Sequence, residues 1–328
     1  LFLCLALSLT KIIAAALADE QPTKLSVANE GTRAQLSWAI CSVGILGVTL
    51  LNPTFVGKLV FTAYSDPSSA VLLGLGCFAM LHLLEAVADA DGPRVRRIAW
   101  QVGLIAAALI NIRQANLVLV VALIMGTLIV SWRDSRLAIL NVARPLLLPM
   151  ALPVVIYMAW RTHVAENFDG GEFIIQPIAE WHLHLFSDVV GHMALVASKK
   201  GGYFTVMLIA VFLAIRAMRG VHGLLDRLAV ITAVVFVIYN GFLLFTYLAA
   251  FGEYDALRAA SYWRYNTHLG GLCVLFGACG LARAWRACVP IRGTARLRLV
   301  PIVLLLVMPF AFASKIRFDD HPIKNHVR

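Results

Sequence analysis

Residues 228–250 read LAVITAVVFVIYNGFLLFTYLAA, and residues 251–271, which follow directly, read FGEYDALRAASYWRYNTHLGG. The first run carries no charged side chain and is long enough to cross hydrocarbon, which takes an α-helix of roughly 20 residues. The second brings charges and aromatic rings, and a further apolar run follows it to Trp285. Such a succession describes a chain that crosses a membrane, turns at its face and crosses back. Glu253, Asp255, Arg258, Arg264 and Tyr265 are therefore expected at one face of a bilayer. Charges held there are costly to bury and point to a site, although an arginine beside Tyr and Trp also serves as a membrane anchor.

The rest of the chain has the same character. Of its 328 residues, 60% are hydrophobic and only 14% charged, and the mean hydropathy is +0.82. A soluble domain of this size does not have that composition. Lipid supplies no hydrogen-bond partners, so backbone groups must be satisfied within the segment or within a closed barrel. The Leu/Val/Ala/Ile runs are continuous and do not alternate, which selects helices. The expected fold is all-α: a polytopic membrane protein forming a single transmembrane domain over 1–328. About ten spans are expected, at 1–18, 35–51, 66–87, 98–112, 116–132, 146–160, 203–219, 228–250, 268–285 and 299–314. A net charge of +10 raises the question of nucleic acid, but the basic residues come in short groups between apolar runs and form no stripe. Nucleic acid is excluded as a partner. The six cysteines lie within or at the ends of apolar runs without ligand spacing, and read as small core residues.

Basic residues also orient the chain. One set of loops holds Lys24, Arg33, Arg94, Arg96, Arg97, Arg133, Arg136, Arg144, Arg216, Arg219, Arg227 and the five arginines of RAWRACVPIRGTARLR at 283–298. The opposite set holds fewer, so the first set is assigned to the cytoplasm and the protein to the cytoplasmic membrane. Residues 52–66, 113–116, 161–202, 251–267 and the tail from 314 then share the extracytoplasmic side. In the long outer loop, 161–202, apolar Ile178, Trp181, Leu185, Val189 and Met193 recur every three or four residues, which predicts an amphipathic interfacial helix.

Several outer-face residues are candidates for chemistry. Asp66 followed by Pro67 fits an ordinary helix N-cap with proline at the first helical position; a carboxylate there also orients a phosphate-bearing donor through a cation or takes a proton from an attacking hydroxyl. Arg113-Gln114-Ala115-Asn116 is more polar than a tight turn requires, and arginine binds phosphate through a planar fork of donors. Arg258 and Arg264 suit a diphosphate, or pairing with Glu253 and Asp255. His182 and His184 fall on different faces of a helix and make a poor metal pair. His82 and Glu85, near the other end of a span, read either as a proton relay or as groups satisfied within the bundle.

The order of Tyr64-Ser65-Asp66 and Arg113-Gln114-Ala115-Asn116 resembles the YTD and RQTN motifs of the lumenal glucosyltransferase that completes the eukaryotic lipid-linked oligosaccharide. The segment EYDALRAASYWRY at 253–265 is similar to one found in bacterial multi-pass glycosyltransferases. Both belong to the GT-C class of polyprenyl-phosphate-sugar-dependent transferases. The resemblance implies inverting transfer of a sugar from a polyprenyl-phosphate donor, among membrane lipids, to a glycan, lipid or protein acceptor. It implies Asp66 as the catalytic carboxylate, and Tyr64, Arg113, Gln114, Asn116, Arg258, Arg264 and Tyr265 as donor-phosphate contacts. Glu253 and Asp255 fall on the acceptor side or in ion pairs. No metal ligand set is implied, and a divalent cation, Mg or Mn, stays open as a cofactor. The class carries its catalytic base in a first outer loop that has no counterpart here. The opening LFLCLALSLTKIIAAALA, without a methionine, is therefore read as the remains of a helix in a chain whose first portion is missing, and this polypeptide alone is then expected to be inactive. The competing classes are a transporter or lipid flippase, against which no inverted repeat is visible, and a non-catalytic membrane subunit.

Overall fold

The computed structural model describes residues 65–168, 176–199 and 201–288, with Cys4, Leu5, Ser8, Leu9, Lys11, Ile12, Ile13 and Ala15 near the start. Among the described residues the chain is helical and contains no strand. Helix α1 spans Asp66–Ala88, α2 Gly92–Ile112, α3 Leu117–Arg133, α4 Ile139–Leu147, α5 Ala151–Asn167, α6 Phe186–Ser198, α7 Gly201–Ala217 and α8 Leu224–Ala249. Two short helices, α9 (Glu253–Leu257) and α10 (Tyr262–Asn266), lead into α11 (Gly270–Cys288).

Helix α1 is apolar on all sides, as a helix enclosed by others must be. It packs against α2, α3, α8 and α11. Pro67 lies in its first turn, where the absent N–H has no helical partner to lose. The helix stops where Ala90 turns left-handed at φ 55°. Asp91 then caps α2 by accepting a hydrogen bond from the Arg94 amide at 3.1 Å. Apolar side chains of α5 and α7, among them Val154, Val155, Met158, Leu208, Phe212 and Ile215, are 57–70% exposed and face outward as a lipid-facing surface does.

Five helical stretches are long and apolar enough to cross a membrane: Asp66–Ala88, Gly92–Ile112, Gln114–Arg133, Leu224–Ala249 and Tyr262–Ala284. Two bent pairs, Ile139–Leu147 with Ala151–Asn167 and Ile178–Ser198 with Gly201–Ala217, raise the number to seven if each is one span. Of the ten expected segments, 35–51, 299–314 and most of 1–18 lie outside the described residues; the described residues carry five to seven spans.

The interfacial helix needs correction. Only its second half, α6, is helical, with Leu185, Val189 and Met193 turned into the core. Residues 178–185 form two separate 3-10 turns instead, and Ile178 is 74% exposed. Helix formation there loses to tertiary bonding: the Gln176 and His182 amides donate to the Ala249 and Leu248 carbonyls at the open end of α8, each at 2.9 Å. The Trp181 ring sits edge-on to Phe245 at 5.5 Å, which pins the same segment.

Close backbone approach holds α1 to α11. A Cβ on Gly271 would lie 2.1 Å from the Ala70 carbonyl oxygen, so only glycine fits. Small residues play this part between membrane helices, where lipid tails offer no hydrophobic drive for association. At the opposite end of the bundle from Asp66, buried Asp134 accepts from Arg227 Nη2 at 2.7 Å and from Arg136 Nε and Nη2 at 3.1 Å. This ties the end of α3 to the start of α8. Burial pushes the Asp134 carboxyl up, but the hydrogen bonds from Arg136 and Arg227 outweigh it and hold the group below the ordinary carboxylate range. His82 and Glu85 belong to that same end, 3.2 Å apart, with Arg94 3.6 Å from Glu85.

Gly271→Ala is expected to lower stability by about 1–3 kcal/mol through overpacking. Gly241→Ala, where nothing lies within 4 Å, should raise it by roughly 0.5–1 kcal/mol; thermal unfolding of the detergent-solubilised protein measures both. For Asp134, whose folded carboxyl titrates lower than the unfolded one, the contribution to stability is complete above an unfolded value of about 3.9. It is lost as pH falls through the lower folded value. Asp134→Asn should destabilise by about 3–5 kcal/mol near neutrality and flatten the acid limb of a stability-versus-pH curve.

Candidate functional site

The site lies at the end of the bundle where α1 begins, α2 passes into α3, and α11 begins. Asp66 was expected to cap α1. In the structure Ser65 occupies the cap position, and the Asp66 carboxylate is spent on other elements. Its Oδ1 lies 2.7 Å from His268 Nε2 and 3.8 Å from an Arg113 terminal nitrogen, and Oδ2 lies 3.7 Å from Arg264 Nε. Asp66 and His268 are each only 2% exposed.

The turn between α2 and α3 delivers Arg113. Arg113 is extended, φ −160°, which ends α2, and Gln114–Asn116 makes a single 3-10 turn before α3. Asn116, expected as a phosphate contact, is buried and already committed. Its amide donates to Ser69 Oγ on α1 at 3.0 Å and to the Leu109 carbonyl at 2.9 Å. It fixes the turn from which Arg113 reaches out.

The polar segment after α8 delivers Arg264, Tyr265 and His268. Ala259 and Ser261 are left-handed, at φ 46° and 59°, a backbone form that costs a non-glycine residue of order 1 kcal/mol and persists only when held from outside. The holding contacts come from α8 and α7. Tyr247 donates its hydroxyl to the Ala260 carbonyl at 2.7 Å, Tyr262 to Asn240 Oδ1 at 2.7 Å, and Tyr203 to Asn266 Oδ1 at 3.1 Å. With both ends of α10 anchored, Arg264 points to Asp66 and Tyr265 lies against the guanidinium groups. The Arg113 and Arg264 guanidinium carbons each lie 5.4 Å from the Tyr265 ring centroid, a cation–π arrangement that eases the proximity of two like charges.

Beside this cluster is a cavity of about 1250 Å³. Arg113, Gln114, Tyr239, Tyr265 and His268 line one side, and Tyr157, Trp160, Arg161 and His163 of α5 another, with apolar residues of α2, α3 and α8 between them. A unit pair about 4 Å apart is worth roughly 4 kcal/mol at an effective dielectric of 20, so Asp66 binds both guanidinium groups to the cluster. Arg113 reaches the cavity wall, and the buried Gln114 side-chain N–H groups bordering it have no acceptor among the described residues.

The structure therefore brings together Asp66, Arg113, Gln114, Arg264 and Tyr265, with Asn116 as their support. It does not bring in Arg258, which pairs with Asp255 at 2.8 Å and stacks on Tyr254 on the exposed face of α9; Glu253 opens the same short helix. Tyr64 lies outside the described residues. Two members, His268 and Tyr239, were not picked out from sequence. The available signal was a histidine at the threshold of an apolar run, since an ionisable group at membrane depth usually has a partner and a purpose. Among the described residues no three His, Cys, Asp or Glu side chains gather as cation ligands, and arginines occupy the space around Asp66. No known protein family, curated protein or solved structure matches this chain.

Asp66→Asn removes the buried carboxylate that Arg113, Arg264 and His268 share and is expected to cost about 3–5 kcal/mol. Arg113→Ala removes a side chain that is 36% exposed and should cost no more than about 1 kcal/mol. Unfolding midpoints of the two variants in one detergent test that contrast.

Proposed function

We propose that this chain is a GT-C-like inverting glycosyltransferase that moves a sugar from a polyprenyl-phosphate donor to a lipid, glycan or protein acceptor at the extracytoplasmic face of the cytoplasmic membrane. The observation that carries the reading is a large, mainly apolar cavity among helices long and apolar enough to span a membrane, with the Arg113 guanidinium and the Gln114 amide on its wall. A polyprenyl phosphate has the matching halves. Its hydrocarbon suits the apolar walls, and its phosphate suits Arg113 and the Gln114 amide, with Arg264 behind.

Inverting displacement at an anomeric carbon needs charge stabilisation on the departing phosphate, and pre-placed donors supply it without reorganising at the moment of reaction. Arg113 and Arg264 bring the positive charge that Mg or Mn would otherwise bring to the phosphate. Tyr265 holds the two guanidinium groups in register. Asp66 orders the arginines from behind, and Asn116 holds the turn.

The test is transfer of radiolabelled sugar from a panel of polyprenyl-phosphate hexoses in membranes containing the full-length protein. Arg113→Ala is expected to insert normally and to lower transfer by about 10²–10³-fold. Transfer at the wild-type rate by Arg113→Ala ends the site assignment. Binding of polyprenyl phosphate without transfer from any donor reassigns the protein to lipid transport.

A further inference from the structure

Asp66 is buried and does not line the cavity. It stands behind His268, and both imidazole nitrogens of His268 are occupied: Nε2 at 2.7 Å from Asp66 Oδ1 and Nδ1 at 2.6 Å from the Tyr239 hydroxyl. A carboxylate only accepts, so Nε2 carries the proton, which leaves Nδ1 to accept from Tyr239. The result is a directed chain through three elements, from Tyr239 on α8, through His268 at the start of α11, to Asp66 on α1. Tyr239 and His268 line the cavity. All three side chains are at least 95% buried, at 4%, 2% and 2% exposure, so bulk water does not compete for the proton.

We propose that this chain receives the proton of the acceptor hydroxyl, with Tyr239 as the catalytic residue that meets it and His268 and Asp66 as positioning residues behind; the proposal rests on the glycosyl-transfer reading. As the acceptor oxygen bonds to the anomeric carbon, its proton passes to Tyr239 Oη and the Tyr239 proton passes to His268 Nδ1. The electron pair of the breaking bond between the anomeric carbon and the phosphate oxygen leaves with the polyprenyl phosphate. The imidazolium formed is held against Asp66, and its proton then passes back through Tyr239 Oη to the departing polyprenyl phosphate dianion, which leaves as the monoanion and restores the resting chain. No other reactant is required. The arrangement follows the logic of a buried carboxylate orienting a histidine that in turn serves a hydroxyl. The charged and titratable groups facing His268 are Asp66 from α1, Arg113 from the turn before α3, Tyr239 from α8, and Arg264 and Tyr265 from α10. The two cations oppose charge on the imidazole at rest, and the departing phosphate dianion offsets them as the proton arrives.

The experiment uses the purified full-length protein, the polyprenyl-phosphate hexose panel, and unlabelled polyprenyl phosphate as the binding probe. Tyr239→Phe removes one oxygen and is expected to lower kcat by about 10²–10⁴-fold, with binding of polyprenyl phosphate unchanged. The wild type should show a curved proton inventory in mixed H2O and D2O, from two protons in flight, and the variant should lose the curvature. His268→Gln, which keeps a donor toward Asp66 but cannot take up a proton, is expected to reproduce the loss and covers the case in which Tyr239→Phe does not fold. Wild-type rates in either variant, or a loss of binding that accounts for the loss of rate, overturn the proton chain while leaving glycosyl transfer standing. A wild-type protein that binds polyprenyl phosphate but transfers from no donor overturns both.

Discussion

One buried carboxylate organises this end of the bundle. Asp66 is 2% exposed, and an ion taken from water into such surroundings loses several kcal/mol of solvation unless partners return it. Its partners come from three separate places: Arg113 after α2, Arg264 on α10 and His268 at the start of α11. None of these segments is adjacent to α1 in sequence except α2. The requirement to pair one charge thus draws three elements to one point.

The same logic operates at the other end, where Asp134 draws in Arg136 and Arg227 and joins α3 to α8. Between the two poles α1 extends about 34 Å at 1.5 Å per residue, close to the thickness of the hydrocarbon it is built to cross. The middle of the bundle relies on close approach, seen at Gly271 against Ala70. The poles differ in one respect that bears on function. Asp134 has its hydrogen-bond acceptors filled and is closed off within the protein. At the Asp66 pole a large cavity opens beside the cluster, with Arg113 and His268 on its wall.

The cluster is held in place by what surrounds it. Tyr265 presents its ring to both guanidinium groups, and the tyrosine and asparagine contacts at 240, 247, 262 and 266 hold a left-handed stretch in place. The backbone there is kept in a form it would not choose alone, and Arg264 is held toward Asp66 by contacts made elsewhere in the segment. The guanidinium groups are placed by the fold itself, which is what preorganisation means.

Helix α8 and the five longest spans were legible from residue type alone, because a run of roughly 20 apolar residues has few other stable forms in lipid. The shared placement of Asp66, Arg113 and Arg264 at one end also followed from counting spans. What sequence misjudged was local competition. The Ile178–Leu185 stretch has helical periodicity, yet the Leu248 carbonyl claims the His182 amide within it and the Ala249 carbonyl that of Gln176 just before it. Arg258 and Arg264 look alike on paper, six positions apart; Asp255 holds the first on the surface and Asp66 captures the second. Asn116 reads as a ligand contact and is a tether to Ser69. Tyr239 and His268, 29 positions apart, sit inside or beside apolar runs where nothing local distinguishes them, and His268 meets Asp66 across 202 positions. The sequence by itself determined that the chain is a bundle of membrane helices with its charge gathered at the ends, since hydrophobicity and helix length are properties of contiguous residues. Which of those charges face one another was decided only by the tertiary structure, since a hydrogen bond depends on distances and directions that contiguity does not encode.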